Sequence, residues 1–318
     1  MDEGTQMARF ARYDRFGPTA EVLRIVTEEP PHPGPGELRV QVRANGLNPA
    51  DYKIFQDGEH AKNYGTTLPS GVGFDFSGDV DELGTGVTRF ALGDAVLGGR
   101  RNRAIGDFVI VAAEGTDVNR DGVVISKPAA LDYDTAGAIS VTGRTAIAAV
   151  DGTRIGPGDT VFVSAAAGGV GVIASQLALL RGATVVGTAS ERNHDFLREL
   201  GVVPVAYGDG LVRRLADAAP QGYTVALDNH GPESVDAALE LGVSLERINT
   251  IAARGRHGAR GVGNPEATME QYAEIVRLVA DGSVRVPIEA IYPIERLVEA
   301  YQHLENGHVR GKVVVVTR

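Results

Sequence analysis

Two hydrophobic rhythms divide the chain. Up to about residue 125, apolar and polar residues alternate in short runs, as in ELRVQVRANGL (37–47). Turn-forming clusters interrupt them repeatedly: PPHPGPGE, DGEH, LGTG, LGDAV and LGGR. Alternation with period two between glycine and proline clusters predicts half-buried antiparallel strands in a compact all-β or barrel-like unit. From about residue 131 the runs become continuously apolar. DTVFVSAA, ATVVGTAS, VPVAYGD, YTVALDN and RINTIAA read as buried strands. GVIASQLALLRG, NHDFLRELG, LVRRLADAAP and SVDAALELG read as helices between them. Strands alternating with helices predict βαβ units and a parallel sheet, so the fold class is α/β. The first unit, Asp159 to Ser190, has the length of one crossover. Near the C-terminus, MEQYAEIVRLVADGSV is an amphipathic helix closed by Gly282, IERLVEAYQHLENG is a second helix, and GKVVVVTR is a final strand.

Composition narrows the chemistry. A chain of 318 residues is long enough for two domains. No apolar run approaches the roughly 20 residues that span a bilayer. MDEGTQMARF lacks a basic stretch followed by an apolar one, so no signal peptide is expected. Met7 reads as an alternative start, which would make the first six residues a leader. There is no cysteine, which removes disulfides, Cys-ligated zinc and Cys nucleophiles. The histidines do not cluster: His303 and His308 are five apart and fall on different helix faces, and no HExxH spacing occurs. A net charge of −10 disfavours phosphate backbones and anionic membranes as partners. A cytoplasmic protein is therefore expected. The densest basic patch, Arg100, Arg101 and Arg103, reads as a solvated loop.

The stretch Ser164-Ala165-Ala166-Ala167-Gly168-Gly169-Val170-Gly171 joins the first buried strand to its helix. Glycine lets the turn tighten and a ligand approach the backbone. The helix N-terminus offers unpaired N–H groups and a positive dipole end to a pyrophosphate. In the G-x-G-x-x-G frame the positions are Ala166, Gly168 and Gly171, so the first glycine is missing. Alone, the stretch also fits a small-residue packing turn. The strand before it, the helix after it and the second strand at the right distance favour dinucleotide binding. An NAD enzyme usually carries an acid at the end of that second strand, for the ribose 2′-OH. Here the strand ends Thr188-Ala189-Ser190, and the first acid is Glu191. Ser190 and Arg192 suit a 2′-phosphate, so NADPH is expected over NADH. Ser190 serves equally as a helix N-cap, Arg192 equally as a solvated first-turn residue, and a Glu191 turned inward would favour NAD.

Several short motifs carry a family resemblance. Asn48-Pro49-Ala50-Asp51 resembles an N-P-x-D motif, and Gly73-Phe74-Asp75-Phe76-Ser77-Gly78 a G-x-D-x-S-G segment. Gly93-Asp94-Ala95-Val96 resembles G-D-x-V, and Thr142-Gly143-Arg144-Thr145-Ala146 a G-L-T-A entry to a cofactor domain. Ala166 to Gly171 resembles A-x-G-G-V-G, and Gly311-Lys312-Val313-Val314 a closing G-K-V-V strand. From about Ala8 to its end the chain thus resembles the zinc-free, quinone oxidoreductase-like branch of the medium-chain dehydrogenase/reductase superfamily. The resemblance implies a GroES-like catalytic domain over residues 1–130 and a Rossmann NADPH-binding domain over 131–265. Residues 266–318 would return to complete the first domain. Zinc-bearing relatives carry G-H-E where this chain has Gly73-Phe74-Asp75, and the Cys-rich structural zinc lobe is absent. Two features depart from the family. Arg144 replaces an apolar residue near the expected nicotinamide, and the loop 57–65 does not follow the G-x-Y form.

The activity implied is reduction of a quinone or an α,β-unsaturated carbonyl by hydride transfer from NADPH. Developing enolate charge then needs hydrogen-bond donors and a proton. Asn48 and Tyr52 are the candidates, since the matching family segment lines the substrate cleft, and Tyr64 is an alternative donor. Tyr52 reads equally as a half-buried aromatic with a satisfied hydroxyl. Asp51 is expected to fix local backbone. Implied cofactor contacts are Thr145, the turn Ala166, Ala167, Gly168, Gly169, Val170 and Gly171, then Ser190, Arg192, Tyr207, Asn229, Ile251 and Lys312. The alternatives are a pathway-specific enoyl or ketone reductase of secondary metabolism, and an NADPH-binding sensor without turnover. The apolar stretch 247–253, without proline or lysine, reads as an open sheet edge through which two copies would pair as a homodimer. Metal independence follows from the absent cysteines and from Phe74: chelator treatment should leave turnover intact, and a stoichiometric zinc required for activity would overturn it.

Overall fold

The computed structural model describes residues 7–317; the first six, read above as a leader, lie outside them. The chain divides into two compact units. One runs up to Val141 and resumes at Ile288, and the other is Thr142–Pro287.

The first unit is built on the strand Glu37–Gly46. Leu38, Val40, Val42 and Ala44 are buried at every second position, as the alternating pattern requires. This one strand pairs antiparallel with three others: Phe108–Ala112 along its first half, Asp75–Leu83 along most of its length, and Lys312–Val316 at its end. The eight-stranded sheet that results also holds Ala95–Gly99, Gly122–Ser126, Thr116–Asp117 and Ile288–Pro293. A three-stranded sheet of Arg24–Glu28, Ala8–Tyr13 and Ser70–Gly71 completes the β structure. The run KVVVV has no alternation because both faces of its strand are covered. Val313 and Val315 pack in a cluster with Tyr13, Phe55 and Tyr301, while Val314 and Val316 pack with Ala44 and Ala138. The all-β reading overlooks the short helices Pro49–Gln56 and Gly58–Lys62. Neither is long enough to show a 3.6-residue rhythm, although proline at the first helical position marks the start of the former.

The second unit holds five parallel strands in the order Val203–Val205, Thr184–Thr188, Thr160–Val163, Val225–Asp228 and Ile248–Thr250. Helices Gly169–Leu180, His194–Glu199, Leu211–Ala218 and Pro232–Glu240 connect them.

The unit boundaries differ from those read in the sequence. Residues 131–141 stay with the first unit: Ser77 donates to Tyr133 O at 2.6 Å, and Gly46 N–H to Gly137 O at 2.8 Å. Residues 266–287 stay with the second. Arg144 Nη2 donates to Ala267 O at 2.9 Å, and Gln271 Nε2 to Asp151 Oδ2 at 2.8 Å. Gln176 and the Arg285 backbone bond reciprocally at 2.9 and 2.8 Å. The return therefore begins at Ile288, not near residue 266.

The expected open edge is covered by the chain itself. Thr250 N–H donates to Arg260 O at 2.9 Å, and the Asn249 amide holds both Val262 N–H and Val262 O. Residues 248–250 are all buried, and Arg256 and His257 pair with Asp236. Residues 260–262 therefore already take up part of the outer side of this strand. Thr250→Pro should accordingly cost the unit about 1–3 kcal/mol by stranding the Arg260 carbonyl. It should lower the urea midpoint while sedimentation equilibrium reports the same mass as the parent protein; a fall in mass would reinstate edge pairing.

Candidate functional site

The order of the parallel strands reverses between Thr160–Val163 and Val225–Asp228. The carboxyl ends of strands at such a reversal are where open α/β sheets receive ligands. The first strand leads through Ser164 into the turn whose Gly168 caps the helix Gly169–Leu180. Ala165 adopts a left-handed φ of +47°. It is held there by its N–H on Thr188 Oγ1 at 3.2 Å and by Ala166 N–H on Thr188 O at 2.8 Å. A side chain at Gly171 would collide with the Ala165 carbonyl, so this glycine lets the helix rise directly behind the turn. Ala166, in the position of the missing first glycine, is fully buried. Its methyl fits because Gly187 lies opposite on the next strand. At Gly168 only the Ala165 carbonyl is near the space a side chain would fill. An open backbone at the start of a twelve-residue helix fits a pyrophosphate.

A buried carboxylate that sequence reading missed fixes the neighbouring strand ends. Asp228 Oδ1 accepts from Ser164 Oγ, His230 N–H and Gly231 N–H, each at 2.9 Å, and its Oδ2 accepts from Thr250 Oγ1 at 2.6 Å. Asn229 N–H donates to Ser164 Oγ at 2.8 Å and its Nδ2 to Ser164 O at 3.1 Å, while Ile251 N–H reaches Asp228 O at 3.0 Å. The first, fourth and fifth strands are thereby tied together, with Asn229 and Ile251 set at their ends. The one signal in the sequence was an acid closing an otherwise apolar strand, in YTVALDN.

The other expected cofactor contacts spread over this unit. Ser190 lies two residues past the second strand, at the cap of the turn Glu191–Asn193, and accepts from Asn193 Nδ2 at 3.3 Å. Glu191 and Arg192 are both exposed in the turn Glu191–Asn193. Tyr207 stacks on His230 with ring centroids 6.4 Å apart, which joins the loops after the third and fourth strands. Thr145 is buried on the helix Ser140–Gly152. Its neighbour Arg144 is fully buried, bonds Ala267 O and lies over the Tyr272 ring, so it clamps the segment before helix Met269–Ala280.

Lys312 belongs to the other unit, where it enters a second buried network. Its ammonium donates to Asn48 Oδ1 at 2.6 Å and lies 3.4 Å from Asp75 Oδ2. Asn48 Nδ2 donates to Asp75 Oδ2 at 3.0 Å and to Gly46 O at 3.2 Å. Asp75 Oδ1 accepts Val141 N–H at 2.8 Å, at the start of the helix Ser140–Gly152. Asp51 Oδ2 accepts Asn48 N–H at 2.8 Å, which fixes backbone as expected, and also the Tyr301 hydroxyl at 3.1 Å. The Asn48 amide is thus engaged at both ends and buried. It positions other groups and has no free N–H for a substrate.

Charge in this network is opposed by burial. Burial pushes the Asp75 carboxyl up against the pull of Lys312, and pushes the Lys312 ammonium down against the pull of Asp75 and Asp51. Asp51 is pushed up to about 7, first by burial and then by Asp75, with the Asn48 N–H, Lys312 and Tyr301 pulling back. Tyr52 follows Asp51 on the same helix and is half-buried beside the cluster of Phe55 and Tyr301. Burial and then Glu305 raise its hydroxyl. Tyr64 stands apart, with the His60 ring at 5.3 Å and the Arg101 guanidinium at 5.7 Å.

A barrel-like unit joined to a five-stranded parallel unit with a glycine turn at its strand reversal is the architecture of the medium-chain oxidoreductases. Residues 34–108 match the alcohol dehydrogenase GroES-like domain, and residues 200–315 match the zinc-binding dehydrogenase family. The structure of the quinone oxidoreductase from Coxiella burnetii is 30% identical, with 98% of this chain and 100% of that chain covered and a TM-score of 0.87. A quinone oxidoreductase of Pseudomonas aeruginosa is 28% identical over 98% of this chain and 100% of its own length. A mycocerosic acid synthase-like polyketide synthase of Mycolicibacterium smegmatis is 27% identical over 93% of this chain, which spans 15% of that protein. The chain belongs to the quinone oxidoreductase-like branch of the medium-chain dehydrogenase/reductase superfamily, as its motifs suggested. It is an oxidoreductase of that type, whose family uses nicotinamide dinucleotides and small-molecule substrates. No helix among the described residues is long and apolar enough to cross a membrane.

The titration of Asp51 has a definite sign. A carboxyl whose folded pKa lies near 7 stabilises the fold most below its unfolded value, near 3.8, and that contribution is lost as pH rises to about 7. Asp51→Asn should remove this loss. Urea unfolding between about pH 4.5 and 8 should show the variant gaining stability relative to the parent as pH rises. A pH-independent difference would mean that Asp51 is ionised throughout.

Proposed function

We propose that the chain reduces quinones or α,β-unsaturated carbonyls with NADPH and without a metal ion. The observation that carries the metal-free reading is the donor set around Asp75. Zinc prefers thiolate and imidazole ligands. The chain has no cysteine, Phe74 stands where the zinc-bearing relatives carry histidine, and the Asp75 carboxylate is already engaged by Val141 N–H, Asn48 and Lys312. These residues do not fit zinc, although one matching family is described as zinc-binding.

Without a Lewis acid, the substrate itself must accept hydride readily. When bound, NADPH supplies that hydride. An enone takes hydride at its conjugated carbon and a proton at the carbon next to the carbonyl. The products are a saturated ketone and NADP⁺; a quinone becomes a hydroquinone. The chain's own part is to bind, orient and protonate. Tyr64 and Tyr52 are the proposed hydroxyl donors, and Asn48, Asp75 and Lys312 hold the backbone before Tyr52. The glycine turn and Gly168 fit the pyrophosphate. Ser190 and Arg192 fit a 2′-phosphate, because the second strand ends without an acid and Glu191 is exposed. A pathway-specific enoyl or ketone reductase is the second reading, supported by the match to a segment of a polyketide synthase.

Stopped-flow oxidation of NADPH against panels of quinones and enones tests the activity. Broad acceptance supports the first reading, a single narrow substrate the second, and no turnover overturns both. Arg192→Ala should weaken NADPH by about 1.5–3 kcal/mol, the worth of a hydrogen bond to a charged group, while NADH changes little. Equal weakening of both cofactors in titration would overturn the 2′-phosphate assignment.

A further inference from the structure

The loop 100–103 is more firmly held than the solvated turn its composition suggests, although Arg103 is exposed. Arg100 N–H donates to Phe74 O at 2.6 Å, Arg101 N–H to Val118 O at 3.0 Å, and Ile105 N–H to Val72 O at 3.0 Å. Asn102 holds a left-handed φ of +59°, and its Nδ2 is bonded to Thr66 Oγ1 at 3.0 Å. Its carbonyl fits only because Gly71 has no side chain to collide with it. A left-handed backbone at a non-glycine residue persists where the surroundings over-determine it, and such places cluster at ligand sites.

This rigid loop gathers three guanidinium groups in a protein with 31 basic and 41 acidic residues. Elsewhere most arginines find an acid; Arg9, Arg12, Arg39 and Arg43 are examples. None of Arg100, Arg101 and Arg103 forms an ion pair among the described residues. Arg100 is half-buried, and its Nε is sealed from water without an acceptor. Burial, then Arg103 and Arg101, push its guanidinium down, against the pull of Asp121 and Glu37. The nearby acids act on them only through space: Glu37 accepts Gly34 N–H, Asp117 accepts Asn119 N–H, and Asp121 pairs with Arg120. Arg101 reaches Asn119 Oδ1 at 3.4 Å and covers the Tyr64 ring. Arg100 and Arg101 are partly taken out of water and Arg103 is exposed beside them; cations gathered in this way next to a proposed proton donor are stabilised by an arriving anion.

We infer that the loop Arg100–Arg103 binds an oxyanion, a carboxylate or a phosphate, carried by the substrate next to its reacting carbons. The inference rests on the reductase reading for the reacting end, and on the geometry of this one unit for the anion. Its test uses trans-3-benzoylacrylate and the methyl ester of that acid, which share the enone and differ by one charge. The parent protein should favour the acid in kcat/KM, and a rise from about 0.05 to about 0.5 M salt should erode that preference. The double variant Arg100→Gln, Arg103→Gln leaves the Arg101–Tyr64 contact in place. It should lower the acid-to-ester ratio by about tenfold or more, while Arg100→Lys, Arg103→Lys retains most of it. Stronger inhibition of acid turnover by inorganic phosphate than by acetate would identify phosphate as the preferred oxyanion, and the reverse would identify carboxylate. A ratio unchanged in the Gln variant, with the parent's circular dichroism, overturns the inference. If neither compound oxidises NADPH, the reductase reading is judged by the quinone and enone panels. Calorimetric titration of the acid and ester then decides the anion site: selective binding of the acid by the parent and not by the Gln variant supports it, and equal binding overturns it.

Discussion

The Lys312 ammonium sits inside the barrel-like unit with almost no access to water, and the parts of that unit meet on it. It bonds Asn48 and lies against Asp75. Through these two it reaches the N-terminus of helix Pro49–Gln56, the first residue of strand Asp75–Leu83 and the start of helix Ser140–Gly152. Asp51 extends the network to Tyr301 on the C-terminal helix Leu297–Glu305. Taking a carboxylate or an ammonium out of water costs several kcal/mol, so such groups persist only when each has its partners in good geometry. Lys312 lies against Asp75 and acts on Asp51 only through space, and burial, then the charge of Asp75, pushes the Asp51 carboxyl up to about 7. The network ties segments as much as 264 positions apart. It adds specificity that the apolar clusters around it, being non-directional, lack.

The second unit solves a similar problem without a cation. Asp228 is buried and accepts from two hydroxyls and two backbone N–H groups. Its donors come from the ends of two neighbouring strands, at Ser164 and Thr250, and from the loop that follows its own strand, so the place where the strand order reverses is held rigid. The turn beside it is fixed from the neighbouring strand, through Thr188 and Gly187. The two networks differ in what they leave available. Around Lys312 the Asn48 amide is used up inside the fold, whereas at Gly168 the backbone faces open space.

Much of this was written in the local sequence. Alternating and continuous apolar runs marked the strands of both units, because side-chain period and burial on one or two faces follow directly from strand geometry. The glycine turn was legible because only glycine permits the helix to pass so close to Ala165. The absence of cysteine removed thiolate metal ligands outright. These are properties of a residue and its near neighbours, which the chain order preserves.

What only the tertiary structure decided concerns partners distant in sequence. The substitute for the first glycine of the turn is Gly187, on the next strand. The edge strand that looked open is covered by residues 259–262, which the turn after it folds back. Helix Met269–Ala280 stays with the parallel sheet because Arg144, Asp151 and Gln176 hold the segments beside it. Asn48 looked like a substrate donor until Lys312, Asp75 and Gly46 were seen to take its amide. The arginines of 100–103 looked solvated until their backbone was seen pinned from four sides with no acid paired to them. In each case the residue type set which bonds were available, but long-range packing chose the partner. A linear pattern records the period of a chain and not which of its distant segments will meet.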